Sequence, residues 1–194
     1  MMKSITVFCG AAAGYNKIYS ETATEVGARL ASRGIHVVFG GGKIGLMGAV
    51  ADGALRAGGK VTGVIPTFLK TKEVAHDALT EMLVVQTMHE RKTKLQELCD
   101  GFIALPGGFG TLEELFEVLT WAQLGLHHKP IGLLNVNGYY DHLVNLLEHM
   151  NKEGILSTKS YQMLIVESDL EALLAAMDAY RAPLVPEWMH AGDE

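Results

Sequence analysis

Short, β-branched apolar segments alternate along the chain with longer segments in which apolar residues recur every three or four positions. Seven of the short segments predict strands, and they read ITVFCG, HVVFGG, KVTGVIP, MLVVQT, GFIALPG, KPIGLLN and QMLIVES. Most are apolar throughout, which is typical of strands covered on both faces. Segments with helical periodicity lie between them, at about 18–33, 45–57, 88–99, 112–124, 139–152 and 169–181. The alternation predicts an α/β fold: a doubly wound, Rossmann-like parallel sheet of about seven strands with helices on both faces.

The domain organisation follows from the length of the chain. A chain of 194 residues is long enough for one α/β domain with a core and too short to expect two. We predict a single Rossmann-like domain over residues 1–182 and a C-terminal tail over 183–194. The segment TFLKTKEVAHDALTE after the third strand has little helical periodicity and is predicted to be a loop. Long loops in compact domains are often functional.

Glycines follow three of the predicted strands. Gly10 follows the first strand, Gly40 to Gly42 follow the second, and a third group follows the fifth, namely Gly107, Gly108 and Gly110. Ligands of doubly wound sheets bind beyond the carboxyl ends of the strands. We therefore expect the three groups to gather at one edge of the sheet and to line a ligand site there.

Composition narrows the classes of function. The formal net charge is −6 and the pI is about 5.7, without a run of Lys and Arg, which argues against a nucleic-acid partner. No apolar stretch approaches the roughly 18 residues of a membrane span, and the N-terminus enters a strand pattern without a cleavable signal. Cys9 and Cys99 stand in apolar segments outside any CxxC spacing, so we expect buried free thiols in a reducing compartment. These features predict a cytoplasmic protein without a membrane partner.

The stretch GGGKIG at residues 40–45 has the G-x-G-x-x-G spacing of a dinucleotide site, after a strand and at the start of a helix. Two features argue against NAD. The motif follows the second strand rather than the first, and the ribose-binding acid expected about twenty residues later is missing. We interpret the stretch, including Gly42, as a backbone turn that lines a shared ligand cleft, with Gly45 and Gly48 spaced for close helix packing.

The stretch PGGFGTLEE at residues 106–114 predicts a phosphate site. Its glycines allow successive backbone N–H groups to converge, and the helix that follows adds the positive end of its dipole. The Thr111 hydroxyl is a further donor, and no lysine stands where a Walker P-loop has one. The expected ligand is therefore an anion held by backbone amides.

Two interpretations of Glu114 remain open at this point. Thr111 to Glu114 has the spacing of a capping box, in which the acid only closes the helix end. Ser168 to Glu171 has the same spacing, and no glycine cluster precedes it. Alternatively, Glu114 acts on the molecule that carries the phosphate, since a helical side chain leans back towards the N-terminus and the glycine loop.

The apolar periodicity of the helix after the glycine loop does not indicate which of its acids is functional. An apolar stripe is expected to face the core, and it consists of Leu112, Leu115, Phe116 and Leu119. Glu113, Glu114 and Glu117 all lie off this stripe. Thr120 either lines the same cleft or is a surface threonine.

Arg91, in MHERKTKLQEL at residues 88–98, stands on an apolar helix face with Met88, Leu95 and Leu98. An unpaired buried charge is costly, so this arginine is expected to be paired or functional. One interpretation is a structural ion pair or a side chain that extends to the protein edge. The other is an arginine that reaches the ligand cleft, because its helix starts at the carboxyl end of a strand.

Together, PGGFGTLEE, MHERK and GGGKIGLMG resemble the LOG (Lonely guy) family over roughly residues 3–180. Members of that family are cytokinin riboside 5′-monophosphate phosphoribohydrolases, and bacterial members often hydrolyse AMP. The resemblance implies that Arg91 and Glu114 are the essential pair and that Gly108 to Glu114, which includes Phe109, form the phosphate and ribose site. It further implies substrate contacts at Lys92, Glu73 and Thr120, and a homodimer with its clefts near the subunit interface.

One position departs from the family pattern. The family commonly has serine after Cys-Gly at the end of the first strand, whereas this chain reads CGAAAG. Ala11 and Ala12 have no hydroxyl, so one polar contact to the nucleotide is expected to be missing or made through water. Relatives have also carried the label lysine decarboxylase, but no lysine here stands in a recognisable pyridoxal phosphate setting.

The residue types fit hydrolysis of an N-glycosidic bond, which develops positive charge on the ribose. A carboxylate at Glu114 is expected to stabilise that charge and to activate water, with Arg91 positioning Glu114 or the substrate. Met88 and the TFLKTKEV loop are expected to line the base pocket. No metal or cofactor is expected, because the eight histidines are scattered, and they are interpreted as surface residues, including His127 and His128. The rival functions are a non-catalytic nucleotide or cofactor carrier, as in similar folds that bind molybdenum cofactor, and an NAD-dependent oxidoreductase.

Overall fold

A computed structural model describes residues 2–70 and 75–183 of the chain. Its strands are β1 Ser4–Phe8, β2 His36–Phe39, β3 Val61–Pro66, β4 Glu81–Val85, β5 Gly101–Ala104, β6 Ile131–Leu134 and β7 Leu164–Glu167. Its α-helices are α1 Ile18–Ser32, α2 Gly45–Arg56, α3 Met88–Glu97, α4 Phe109–Gln123, α5 Asp141–Lys152, α6 Thr158–Tyr161 and α7 Leu170–Ala179. A short 3₁₀ turn covers Val136–Gly138.

The seven strands of the described chain form one parallel sheet in the order β4-β3-β2-β1-β5-β6-β7. The chain moves outward from β1 to β4 on one side and then returns to pair β5 with β1 on the other. Val7 is in register with both Phe39 and Ile103, so β1 lies at the point where the direction reverses. The prediction of a doubly wound, Rossmann-like sheet is confirmed.

The two faces of the sheet carry separate cores. One core packs residues of α1, α2 and α7 against the sheet, with Leu30 and Val50 fully buried. The other packs residues of α3, α4 and α5, with Leu95 and Leu115 buried. Strands covered in this way need apolar residues on both faces, which is why the interior strands read as continuous apolar runs.

Helices α1 and α2 approach each other backbone to backbone. A Cβ atom at Gly27 would lie 2.0 Å from the Val50 carbonyl oxygen, and one at Gly53 would lie 2.1 Å from the Thr24 carbonyl oxygen. Only glycine permits this distance. The contact fixes α2, and with it the glycine turn that precedes α2.

All seven predicted strands are present, within a few residues of the predicted bounds. The 3₁₀ turn and α6 were not predicted. In the described residues of the third crossover, 67–70 and 75–80, the chain forms turns and no helix, as the pattern indicated. The tail from 184 onwards lies outside the described residues, and the division into a domain and a tail stays a prediction.

Both predicted capping boxes are wrong. Gly108 is the N-cap of α4, so Thr111 lies inside the first turn and is buried rather than capping it. Asp169 caps α7 by accepting a hydrogen bond from the Ala172 amide at 2.9 Å, and Glu171 instead pairs with Arg29 and Arg33. A carboxylate at the extended residue directly before a helix accepts first-turn amides as well as serine does.

The predicted core stripe of α4 is also partly wrong. The buried residues of α4 are Thr111, Leu115, Val118 and Ala122, whereas Phe116 is exposed. The helix is rotated because Thr111 packs against the glycine loop, where its hydroxyl would lie 2.1 Å from a Cβ atom at Gly107. This contact moves the buried face towards Glu114 and away from Phe116.

Two histidines contradict the prediction that all lie on the surface. His127 is buried, and its Nε2 lies 2.9 Å from the Val118 carbonyl oxygen. His76 is buried with its Nε2 3.1 Å from an Asp52 carboxylate oxygen. Burial lowers the pKa of His127 below its usual value, although its hydrogen bond to Val118 works in the opposite direction. Sequence periodicity gives no signal for such loop contacts.

Within the described ranges, none of the helices has the length and apolarity needed to cross a membrane.

Candidate functional site

The three glycine groups meet at the carboxyl ends of β1, β2 and β5. The Gly10 amide donates to the Pro106 carbonyl at 3.0 Å, and the Leu46 amide donates to the Gly10 carbonyl at 2.9 Å. A Cβ atom at Gly45, whose φ is +63°, would lie 2.2 Å from the Ala11 carbonyl oxygen. The loops after the three strands are therefore joined by backbone contacts, as their position along the sequence predicted.

A cavity of about 280 Å³ opens at this junction. The loop 10–14 forms one wall, Leu46 and the stretch 106–108 form another, and the rings of Tyr19 and Tyr139 complete it. The methyl groups of Ala11 to Ala13 line the wall that the loop forms. This cavity lies at the reversal point between β1 and β5, where doubly wound sheets bind ligands.

The N-terminus of α4 faces open space beside this cavity. Gly108 is extended, with φ −96° and ψ −151°, and no side chain caps the helix. Cβ atoms at Gly108 and Gly110 would meet no atom within 4 Å. First-turn amides have no partner within their own helix, and together with the helix dipole they attract anions. The geometry supports the predicted anion site, with room for a ligand.

Two tyrosines hold the loop before α4, and the sequence reasoning missed both. The Tyr140 hydroxyl donates to the Leu105 carbonyl at 2.7 Å, and the Tyr139 hydroxyl donates to the Gly107 carbonyl at 2.8 Å. Burial raises the pKa of Tyr140, and a backbone hydrogen bond with Gly107 partly opposes the rise. The sequence feature that could have revealed these tyrosines is the stretch NVNGYYD, which places both of them directly after the sixth strand, at the ligand-binding edge expected for the sheet.

Arg91 is buried at the ends of β2 and β3. Its Nε donates to the Val64 carbonyl at 3.2 Å, and its Nη2 donates to the Gly40 carbonyl at 3.1 Å. A Cβ atom at Gly40 would lie 2.1 Å from Nη2, so glycine there makes room for the guanidinium. Backbone carbonyls therefore hold the guanidinium at this end of the sheet, and its predicted contact with the ligand stays a prediction.

Glu114 is half-buried, and its negative charge acts on Cys9 at the end of β1. Burial raises the pKa of the Cys9 thiol, and the charge of Glu114 raises it further. The carboxylate therefore lies within electrostatic range of Cys9, the residue that directly follows β1. Glu113, next to it in sequence, is exposed and forms an ion pair with Lys92.

Lys92 lies between two acids of α4. Its Nζ is 2.7 Å from a Glu113 carboxylate oxygen and 2.8 Å from one of Glu117. Burial alone would lower the pKa of Lys92, but the hydrogen bonds to these acids outweigh it and raise the pKa. Lys92 thus ties α3 to α4 and holds the helices that carry Arg91 and Glu114 together. Its predicted contact with the substrate stays a prediction.

The other predicted site residues are dispersed. Met88 starts α3, with its Sδ 3.9 Å from Nη1 of Arg91. Gly42 pairs with Ala75, and Phe109 is exposed at the start of α4. Thr120 lines a different groove, between α4 and α5. Glu73 lies outside the described residues.

The fold and these contacts define a class: a Rossmann-like α/β protein whose glycine loops and an open helix N-terminus surround a cavity at its topological switch point. A family model described as "Possible lysine decarboxylase" matches residues 47–177 of the chain. Two relatives named cytokinin riboside 5′-monophosphate phosphoribohydrolase cover most of it. The one from Rhodococcoides fascians is 49% identical over 176 residues, 90% of this chain and 89% of its own. The one from Arabidopsis thaliana is 42% identical over 179 residues, 92% of this chain and 78% of its own.

The chain belongs to this family, which is the LOG family of the phosphoribohydrolases. Solved structures add evidence on the fold alone. A molybdenum cofactor carrier protein from Chlamydomonas reinhardtii matches with a TM-score of 0.64 at 20% identity, over 91% of this chain and 96% of that one. The molybdenum cofactor binding protein from Rippkaea orientalis matches with a TM-score of 0.65 at 21% identity, over 91% and 94%.

Proposed function

We propose that the protein hydrolyses the N-glycosidic bond of a purine nucleoside 5′-monophosphate, AMP or its N6-prenylated form, to free base and ribose 5-phosphate. The observation that carries the proposal is that one helix, α4, presents open amides at its first turn and a half-buried carboxylate, Glu114, in its second. In a nucleotide the 5′-phosphate is attached directly to the ribose. One substrate could therefore place its phosphate at the amides and its ribose at Glu114.

The 5′-phosphate binds at the start of α4 in this proposal. The open space at Gly108 and Gly110 lets phosphate oxygens approach the backbone, which a side chain at either position would obstruct. Amides of the first turn and the helix dipole supply the attraction. Gly10 and Gly107 shape the floor of the site, since the Gly10 amide is bound to the loop and its Cβ position is 3.3 Å from the Gly107 Cα.

Glu114 then acts at the ribose. As the bond from C1′ to the base breaks, positive charge grows on the sugar, and a nearby carboxylate stabilises it. The same carboxylate accepts a proton from the water whose oxygen bonds to C1′, and the departing base takes up a proton from solvent. The products are then the free base and ribose 5-phosphate, and Glu114 is restored when it releases its proton to solvent. The partial burial of Glu114 and its place in the second turn of α4, one turn beyond the proposed phosphate site, support this role.

Arg91 supplies a fixed positive charge near the carboxyl ends of β2 and β3. Two backbone carbonyls hold its guanidinium, which leaves further N–H donors for the substrate or for Glu114. Met88, next to this guanidinium, is proposed to contact the base. Lys92 and Glu73 are proposed to complete the substrate contacts, as the family resemblance implies, whereas Thr120 lies in the groove between α4 and α5.

Incubation of the purified protein with AMP and with isopentenyl-AMP tests the proposed function. We expect free base and ribose 5-phosphate in equal amounts, resolved by liquid chromatography, from at least one of the two nucleotides. The matched control is adenosine, which has no phosphate and is expected to be a much poorer substrate. Tight binding of both nucleotides without release of base would contradict the proposal and favour the carrier function.

The carrier alternative rests on the structural neighbours, whose likeness extends to the fold only. The relatives at 42–49% identity carry names of hydrolytic enzymes, and the chain has both Arg91 and Glu114. These two observations favour the enzyme.

We further propose a cytoplasmic homodimer. Both cysteines are free and buried, as in a reducing compartment.

Large apolar side chains are exposed on α4, α5 and the turn after α4, namely Phe116, Leu124, Leu126 and Leu146. Exposed apolar side chains are frequent in protein contact sites, and we propose that a second copy covers these, as the family resemblance implies. Sedimentation equilibrium is expected to give twice the monomer mass, and a monomer at micromolar concentration would contradict the proposal.

A further inference from the structure

Tyr139 contacts the backbone of the glycine loop at the proposed anion site, and it carries no charge that could bind the ligand. Its hydroxyl donates to the Gly107 carbonyl at 2.8 Å, and its ring forms part of the cavity wall. Neither the sequence pattern nor the proposed reaction assigns it a role.

This hydrogen bond determines the direction of a neighbouring amide. The described chain contains no cis peptide bond, so the peptide between Gly107 and Gly108 is trans. The carbonyl and the N–H of a trans peptide point in opposite directions within one plane. With the Gly107 carbonyl held towards Tyr139, the Gly108 N–H is directed away from it. Gly108 is the N-cap of α4, so this amide stands at the end of the helix that faces the proposed phosphate.

The restraint matters because this peptide joins two glycines. Gly108 has no side chain to pack, and its Cβ position is surrounded by open space. Glycine adopts both signs of φ at little cost, so a peptide between two glycines rotates readily unless something holds it. The carbonyls before it are held in the same way: the Gly10 amide binds that of Pro106, and the Tyr140 hydroxyl binds that of Leu105.

Tyr139 is itself held firmly. The turn before it contains Asn137 at φ +51° and Gly138 at φ +68°. Asn135 accepts a hydrogen bond from the Tyr140 amide at 2.7 Å and so closes this turn. The Tyr139 ring packs edge-on against Tyr19, with centroids 5.6 Å apart, and against Tyr140 at 4.9 Å. The hydroxyl is thus presented to Gly107 at low conformational cost.

We propose that Tyr139 is a positioning residue for phosphate binding, which fixes the Gly108 N–H towards the 5′-phosphate by holding the Gly107 carbonyl. The inference rests on the proposed function only for the identity of the ligand, a sugar phosphate, and not for the hydrolysis.

Tyr139→Phe tests the proposal, because it keeps the ring contacts and removes the hydroxyl. We expect the KM for AMP and the Kd for ribose 5-phosphate to rise together, by about three- to tenfold, the effect of one hydrogen bond. We expect kcat to stay within about twofold and adenosine affinity to stay unchanged, because neither depends on the phosphate contact. The matched control is Tyr180→Phe at the end of α7, away from the cavity, which is expected to change none of these values. Calorimetry measures binding, and thermal unfolding verifies that both variants are folded.

Three results would overturn the proposal. The first is unchanged ribose 5-phosphate affinity in folded Tyr139→Phe, and the second is an equal loss for adenosine and ribose 5-phosphate, which indicates general distortion of the site. The third is a wild-type protein that does not bind ribose 5-phosphate. In contrast, wild-type protein that releases no adenine but binds ribose 5-phosphate with Tyr139-dependent affinity would overturn the proposed hydrolysis and support the positioning role.

Discussion

Glu114→Gln is expected to lower the rate of base release from AMP by about a hundredfold to ten-thousandfold, the range for loss of a general acid or base. The amide has nearly the same shape as the carboxylate, but it can neither accept a proton from water nor balance positive charge on the ribose. The loss should appear in kcat, because the proposed phosphate site lies one turn earlier on the helix and the KM is expected to depend mainly on that contact. Chromatographic quantification of adenine under saturating AMP measures it.

The chain provides a matched control for this variant in the adjacent acid. Glu113→Gln removes the same charge from the same helix, but Glu113 is exposed and pairs with Lys92. Lys92 keeps Glu117 as a partner, so this variant is expected to retain activity within about threefold, since exposed pairs contribute little. Full activity in folded Glu114→Gln would show that Glu114 has no catalytic role, and equal losses in the two variants would show that the effect is general electrostatics.

Arg91→Lys is expected to have the second-largest effect, because a lysine cannot bind two carbonyls in the fixed geometry of a guanidinium. The Gly40 and Val64 carbonyls would compete for one ammonium, and a buried carbonyl left without a donor costs about 1–3 kcal/mol. We therefore expect the free energy of unfolding to fall by about 2 kcal/mol. We also expect kcat/KM for AMP to fall by about a hundredfold to a thousandfold, as for loss of one oriented electrostatic donor.

A second variant separates the position of Arg91 from its charge. Gly40→Ala leaves the arginine in the sequence but places a methyl group where Nη2 lies, so the guanidinium must shift. Gly40→Ala is therefore expected to cause much of the loss of kcat/KM for AMP that is expected for Arg91→Lys. Arg56→Lys is the control, because Arg56 Nε also donates to a carbonyl, that of Asp52, but on the exposed face of α2. Urea unfolding and AMP turnover measure both effects. Wild-type turnover by Arg91→Lys would exclude a role for the guanidinium geometry.

The strand pattern was predictable because each interior strand is buried on both faces and so reads as a short apolar run. The loops after β1, β2 and β5 were predictable as a group for a related reason: a parallel sheet places the carboxyl ends of all its strands at one edge. Arg91 was identifiable from helical spacing alone, since Leu95 and the arginine share a buried face. Strand burial and the buried face of α3 depend on residues close together in the chain, so they are visible in the spacing of apolar residues.

The start of α4 was not predictable in the same way. Thr111 has the residue type and spacing of an N-cap, but its side chain packs on Gly107 and Gly108 takes the N-cap position. The shift of a few residues turns Phe116 outwards and places Glu114 in the second turn, half-buried. The same sequence fits a helix capped by Thr111 and a helix that starts earlier, with Gly108 as its N-cap. Only the packing of the glycine loop against α4 distinguishes the two.

The sequence by itself determined the parallel α/β sheet, the glycine loops at its carboxyl edge and the buried helix face that carries Arg91, because burial and backbone freedom leave a periodic or compositional trace. The pairing of Arg91 with Glu114 is implied by the family resemblance and stays a prediction. The tertiary structure decided which groups are in contact: the carbonyls that hold Arg91, and the Gly107 carbonyl before α4 that accepts a hydrogen bond from Tyr139. These partners lie on other strands and loops, between 27 and 51 residues away for the Arg91 contacts and 32 for Tyr139. Contacts over such separations exist only once the sheet has brought the strand ends together, and no local pattern in the chain records them.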